Sequence, residues 1–512
     1  MGWISRTDRQ RISNSVHRRI RYRWFALSLC SVWMLTAGCD TPANSPVGVA
    51  PGADLPSAPA RPPVTTNNST PEDFAIAEED AVDISPPELT EPEPVYRPAD
   101  NRRVPEPELL SQLGIHVVES KHLRLYSDLP REQIESLPPL VDQLIAALEE
   151  YFGELPPDRD GKPFQLSGYI MEDVPLYEKS GLLPPKFANM EHGRHQGAEF
   201  WMIAPDAGYY LRHLLFHEAT HCYMMYLPNT SAPVWYLEGM AECFGAHRLS
   251  ENGTVEFKVF PESSSAYDGF GRIELIQLDV EEGGLKTISE VAYLESGGYH
   301  STISYAYAWA LCSFFDQHPR YHDTFRNLSR RYLLEEPFAE RFDEEFSPQA
   351  DELNQEWLSH LSELEYGMDF EELAIDFTPG KPLTSERILQ VPARSSWFNS
   401  GCQLEAGKTY HITASGMFEL DETTRPWTST PDGISVDYYR GVPLGRLLGA
   451  IAPAEVTDPE QNFCFARFAT FGKEITFRAP WTGTLYLRLN DHPDQLFDNK
   501  GEVEVRVEAV EP

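Results

Sequence analysis

The stretch "LLFHEATHCYMMYL", residues 214–227, decides how this chain is read. It contains His217-Glu218-Ala219-Thr220-His221, two imidazoles four residues apart with a carboxylate between them. Residues four apart share one face of an α-helix, so both rings can meet a single metal ion. Glu218, turned ~100° from His217, is placed to touch a water on that ion rather than the ion itself. The pattern predicts a helix from about Ala207 to Leu227, stopped by Pro228.

The context downstream strengthens the pattern. After the break "PNTSA" comes "PVWYLEGMAECFG" (233–245), with a second helix expected from about Val234 to His247. Sixteen residues separate His221 from Glu238. A carboxylate there can return to the ion as a third ligand, leaving the fourth position for the water that catalytic zinc needs. Glu242, one turn on and on the same face, can accept the free N–H of a ligand histidine, orienting the ring and raising its basicity.

HEATH followed by W-Y-L-E-G-M-A-E resembles the gluzincin metallopeptidases, most of all their peptidase MA-like branch. The resemblance implies an α+β zincin-like domain, a mixed sheet plus active-site helices, over residues 108–378. It implies His217, His221 and Glu238 as zinc ligands, Glu218 as general base and Glu242 as the supporting carboxylate. The implied activity is hydrolysis of peptide bonds in a polypeptide. The ligand interval is shorter than in the aminopeptidase and thermolysin branches, so their substrate rules are not carried over. "SYAYAWALCSFF" (304–315) resembles the helix that follows the metal site in these peptidases. Tyr305 is the first candidate there for an oxyanion donor and Tyr307 the second.

The rest of the region supplies a scaffold. Residues 122–128, 164–171 and 198–205 read as strands, and 137–153, 302–333 and 350–366 as helical. The strand at 197–204 is expected to pair with an extended substrate backbone. His213 is expected to line the cleft or lie exposed, and His192 and His195 to sit in a loop.

Near Pro379-Gly380-Lys381-Pro382 the chain changes to short alternating runs such as "EITFRAP", "TLYLRLN" and "EVEVRVEAV". Residues 383–512 therefore read as a separate antiparallel β-sandwich. "SSWFNSGCQLEAGKTYHITASG", "GVPLGRLLGAI" and "RAPWTGTLYLRLNDHPDQLFDNKGEVEVRV" resemble the PA-IL-like calcium-dependent galactose-binding lectins. The resemblance implies a calcium ion held by Asp491, Asp498 and Asn499 ahead of Gly501, and a glycan or glycoprotein partner. The chain departs from that family at Asp498, which replaces an asparagine, and at Gln495, which stands where a threonine contributes its carbonyl.

The N-terminus differs in composition. Seven arginines (Arg6, Arg9, Arg11, Arg18, Arg19, Arg21, Arg23) precede an apolar run from Trp24 to Ala37. That run is short for a membrane span and right for a signal peptide. It ends in Leu35-Thr36-Ala37-Gly38-Cys39, which resembles a bacterial lipobox. Residues 1–38 are thus expected to be removed and Cys39 acylated, anchoring the protein to a membrane of the bacterial envelope. The Pro- and acid-rich residues 39–107 read as a disordered spacer. The formal net charge of −37 argues against nucleic acid as a partner. An exported compartment permits disulfides, with Cys222–Cys243 and Cys402–Cys464 as plausible pairs and Cys312 left over. A second reading makes the chain a carbohydrate-binding surface lipoprotein whose metal domain is structural or inactive.

Overall fold

The computed structural model describes residues 95–227, 231–292, 301–334, 337–421 and 426–510. The expected signal peptide, Cys39 and most of the expected spacer lie outside the described residues. The end of that spacer is part of the fold. Arg97 donates to the Lys162 carbonyl, Arg103 to the Gly181 carbonyl, and a helix at Pro107–Leu113 starts before the expected boundary.

The chain is mixed α/β, with a β-rich C-terminal region. The first sheet holds β1 (His116–Glu119), β2 (Leu123–Ser127), β3 (Leu166–Met171), β4 (Gly193–Gln196) and β5 (Glu199–Ile203), in the order β1-β2-β3-β5-β4. β2, β3 and β5 run parallel, while β1 and β4 close the two edges antiparallel. Parallel neighbours need a crossover, and α1 (Leu137–Phe152) supplies it between β2 and β3.

Alternation along the strands separates two cores. Leu123, Leu125, Phe200 and Met202 pack with Leu144, Ile145 and Leu148 of α1 and with the metal-motif helices. On the other side Tyr126, Tyr169 and Trp201 stack across three strands, with ring centroids 4.9 and 5.3 Å apart. Leu110, Tyr177 and Leu182 cover that stack.

Four further helices matter for the site: α2 (Gly208–Met224), α3 (Val234–Gly245), α4 (Arg272–Glu281) and α5 (Thr302–Gln317). The helical run expected over 302–333 is two helices, α5 and His322–Arg331. Pro319 explains the break, because it pushes His318 to extended backbone at ψ 126°. A Cβ built on Gly239 of α3 would lie 2.4 Å from the Ala308 carbonyl oxygen and from Cys312 Sγ. Only glycine lets α3 and α5 approach this closely.

The C-terminal region is built mainly of two open sheets that share one core, with a two-stranded ribbon of Phe418–Glu419 and Thr428–Ser429 beside them. One contains Phe398–Leu404, Asp432–Tyr439, Val442–Pro453 and Gly483–Leu489, with two short edge pieces. The other contains Arg387–Pro392, Thr409–Ser415, Glu474–Arg478 and Glu502–Ala509. In the last strand Val503, Val505 and Val507 are buried and alternate with outward Glu502, Glu504 and Arg506. Leu404, Leu447 and Leu487 of the first sheet share that core with Ile412 and the valines of the second.

All five cysteines in the described residues are free and buried. The expected bridges fail because the thiols point apart. Cys222 Sγ reaches the Glu199 carbonyl on β5, whereas Cys243 Sγ lies 3.4 Å from Ser313 Oγ on α5. Cys402 turns to the Ser400 carbonyl and Cys464 to Gln355 Oε1.

Candidate metal centre

α2 is buried along most of its length, so its polar motif residues face other protein rather than solvent. His217 and His221 lie one turn apart, with their Nε2 atoms 3.0 Å from each other. α3 brings Glu238 Oε2 to 3.1 Å from His221 Nε2 and 3.4 Å from His217 Nε2. Three electron-pair donors thus converge on one point in a nearly dry site. Such an arrangement is costly unless a proton or a cation sits among them.

The electrostatics of the cluster are consistent with strong mutual interaction. Burial opposes the charged form of His217, but the hydrogen bond to Glu238 and the charges of Glu242, Glu238 and Glu218 push it up to about 9. His221 is held below its ordinary value, by burial first. Burial would raise Glu238, and the His221 and His217 interactions outweigh it to hold the carboxyl well down.

Glu218 projects from α2 beside this triangle. Its carboxylate lies against β4: a Cβ built on Gly193 would fall 2.2 Å from Glu218 Oε1. From the same face of β4, His195 Nδ1 is 3.5 Å from Glu218 Oε2. The His195 ring also stacks on His221 at 4.6 Å between centroids, and its Nε2 is 3.2 Å from Met225 Sδ. Burial works against ionisation of Glu218, yet His195, His217 and His221 hold it below the usual carboxylate range.

Glu242 stands behind His217, with Oε1 3.5 Å from His217 Nδ1. Arg272 of α4 grips the same carboxylate with two hydrogen bonds, Nε to Oε2 at 3.0 Å and Nη2 to Oε1 at 2.8 Å. His213 Nε2 lies 3.2 Å from Glu242 Oε2. The Arg272 and His213 charges overcome burial and hold Glu242 well below its ordinary range. His213 is 1% exposed, so the expectation of a cleft-lining or exposed histidine is corrected. Its position one turn before His217 points it inward, behind the ligands.

The tyrosines separate clearly. Tyr305 lies beside the triangle, its ring 6.3 Å from that of His217, and burial raises its hydroxyl pKa. Tyr307, roughly 200° around the same helix, donates to Asp279 Oδ2 at 2.7 Å and to the Gly284 carbonyl at 2.9 Å. It is fully buried and belongs to the scaffold.

Two expectations on the sheet are also corrected. The strand at 197–204 has β3 on one side and β4 on the other, so it offers no free edge. The edge is β4, and it carries His195, which therefore sits in a strand rather than a loop. His192 is exposed just before it. Sequence reasoning undervalued His195 and missed Arg272 altogether. The short interval between "GRHQ" and "EFWMI" was the available signal for a hairpin, whereas nothing local marks Arg272.

The C-terminal candidates share one loop after Gly483–Leu489. Asp491 and Asn499 are buried and Asp498 is half-buried at the end of a short 3-10 turn. Asn499 Nδ2 donates to the Ala393 carbonyl at 3.3 Å, while its Oδ1 is buried with no hydrogen-bond partner among the described residues.

No family model matches the chain, and no curated protein matches it. Among solved structures, one that matches is described as the EclA N-terminal domain, a PllA-like lectin. It is 24% identical, with 24% of this chain and 95% of that chain covered and a TM-score of 0.19, a likeness too slight to bear on function.

Proposed function

We propose that this chain is a zinc-dependent metallopeptidase of the gluzincin type, with its α/β region a zincin-like domain. The observation that carries the proposal is the triangle of donors. Tetrahedral zinc with bonds of about 2.0–2.1 Å puts its ligand atoms roughly 3.3 Å apart. The three separations here, 3.0, 3.1 and 3.4 Å, bracket that value. Two imidazoles and one carboxylate also form a donor set suited to zinc with an open fourth position.

Bound zinc would supply Lewis acidity, polarising a carbonyl and acidifying a water to a pKa of about 7. Glu218 would take the proton from that water and return it to the leaving amine. Gly193 and His195, on one face of β4, would hold the Glu218 carboxylate in place. Tyr305 would donate a hydrogen bond from its hydroxyl to the developing oxyanion, keeping its proton. Glu242, fixed by Arg272, would orient the His217 ring. An extended polypeptide would lie along β4, the open edge nearest the site.

The C-terminal region, read as a β-sandwich, is proposed to hold calcium at Asp491, Asp498 and Asn499, supported by the buried free oxygen of Asn499. Removal of residues 1–38 and acylation of Cys39 would tether the enzyme to the bacterial envelope. The second reading, a calcium-dependent glycan-binding lipoprotein with an inactive metal domain, requires sugar binding without proteolysis.

The deciding experiment is metal analysis of the purified chain after zinc loading, together with cleavage of fluorescent casein. About one zinc bound with high affinity and casein cleavage abolished by a chelator are expected. A chain that takes up no zinc overturns the proposal.

A further inference from the structure

The hydrogen-bond phase of β4 determines which of its amides are open. The Ile203 N–H donates to the His192 carbonyl at 2.8 Å, so His192 and Ile203 form a bonded pair. Bonded and non-bonded pairs alternate along an antiparallel ladder. With Gly193 opposite Met202 and Arg194 opposite Trp201, the amides of Arg194 and Gln196 turn to β5, and those of Gly193 and His195 turn outward. The same two residues flank the Glu218 carboxylate. The open amides and the proposed general base therefore share one stretch of chain.

One outward acceptor is already taken. Arg194 Nη1 donates to the Gly193 carbonyl at 2.9 Å. The guanidinium occupies the position where the N–H of an extended partner strand would sit. Arg194 is exposed, and its charge also acts on the Tyr305 hydroxyl, opposing the effect of burial there. The other nearby arginines are committed: Arg272 to Glu242, and Arg212, through Nε, to His247. The Arg194 fork has five donors, and a carboxylate is the partner that fits it in a bidentate manner.

We propose that Arg194 is a specificity-determining residue that yields the Gly193 carbonyl to the backbone of an extended substrate and takes a carboxylate of a residue flanking the scissile bond. This proposal rests on the metallopeptidase reading and adds a substrate class, acidic polypeptide segments. The net charge of −37 does not oppose it, because screening over about 8 Å leaves the local charge in control.

The test uses the full zinc-loaded chain and three fluorescent decapeptide mixtures, identical except for Glu, Gln or Lys fixed at one position. Wild type is expected to cleave the Glu mixture with kcat/KM about tenfold above the Gln mixture, with Lys lowest, and the difference to lie in KM. Arg194→Gln is expected to bring the Glu-to-Gln ratio to about one. Thermal melts of the variant control for folding. No preference in wild type, or a preference that survives Arg194→Gln, overturns the proposal. Cleavage of none of the mixtures counts against the metallopeptidase reading instead. Arg194 is then judged by fluorescence anisotropy with the same labelled mixtures on the Glu218→Gln chain. Tighter binding of the Glu mixture that is lost on adding Arg194→Gln supports the proposal, and equal binding of Glu and Gln mixtures overturns it.

Discussion

The α/β region and the β-rich region both bury matched pairs such as Arg272–Glu242 and Arg488–Glu363, but the α/β region also gathers three lone-pair groups at one point. Around α2 and α3, three groups that can each offer a lone pair converge: His217 Nε2, His221 Nε2 and Glu238 Oε2 lie within 3.4 Å of one another. In the β-rich region, donors face acceptors. Arg488, 1% exposed, meets Glu363 across the junction between the regions. Asn490 Nδ2 caps the carbonyls of Tyr439, Val442 and Pro443. Paired donors and acceptors serve the fold. A convergence of lone-pair groups is costly unless a proton or a cation sits among them.

That contrast can be broken or sharpened by experiment. The largest effects belong to the converging cluster. Glu238→Ala is expected to remove zinc from the loaded chain, measured by atomic emission, and casein cleavage with it. Glu218→Gln is expected to keep the zinc and lower cleavage by about 10²–10⁴-fold. Zinc retained by Glu238→Ala at the affinity of wild type would show that the triangle is not the site.

The paired charges should behave otherwise. Arg488→Met leaves Glu363 buried with Arg440 at 3.8 Å as its remaining cation. The expected cost is about 3–5 kcal/mol in urea unfolding, with zinc content unchanged. Adding Glu363→Leu is expected to recover much of that loss.

A smaller effect tests acid sensitivity at the junction. His360 lines a small pocket together with His318, Glu356 and Glu363. Burial, and then the His318 charge, hold the His360 imidazole down to about 3. Below pH 6.5 the unfolded chain takes up a proton that the folded chain refuses. Its stabilising share is therefore complete above pH 6.5 and is lost as pH falls toward 3. At pH 5 the loss is about 2 kcal/mol. His360→Phe is expected to flatten the fall in urea midpoint between pH 7 and 5 by that amount.

The smallest effect concerns the loop at 491–499. Calcium at ten times its dissociation constant is expected to stabilise wild type by about 1.4 kcal/mol, a shift of a few degrees in Tm. Asn499→Ala should lose that shift. An equal shift in both proteins would remove Asn499 from the site.

Much of this was legible in the chain itself. Periodicity located α1, α2, α3 and the strands β2, β3 and β5, because each element repeats its apolar residues at its own period, whereas the four-residue β4 is too short to show one. The i, i+4 spacing put His217 and His221 on one face without reference to any other element. The alternation of Val503, Val505 and Val507 with charged neighbours likewise reports a two-faced strand directly. These are local relations, set by backbone geometry within a few residues.

Tertiary structure decided the rest. Which strand forms the free edge depends on pairing order, and a four-residue strand, β4, takes that place from β5. Arg272 reaches Glu242 from thirty residues away because α4 and α3 both pack against α5, a relation with no spacing rule behind it. Adjacent motif cysteines point to opposite sides because α2 turns Cys222 to the sheet and α3 turns Cys243 to α5. Tyr305 and Tyr307 differ by two positions, and only the packing of α5 assigns one to the site and the other to the scaffold. Local geometry thus determined which groups belong to one helix face, and long-range packing determined what each face meets.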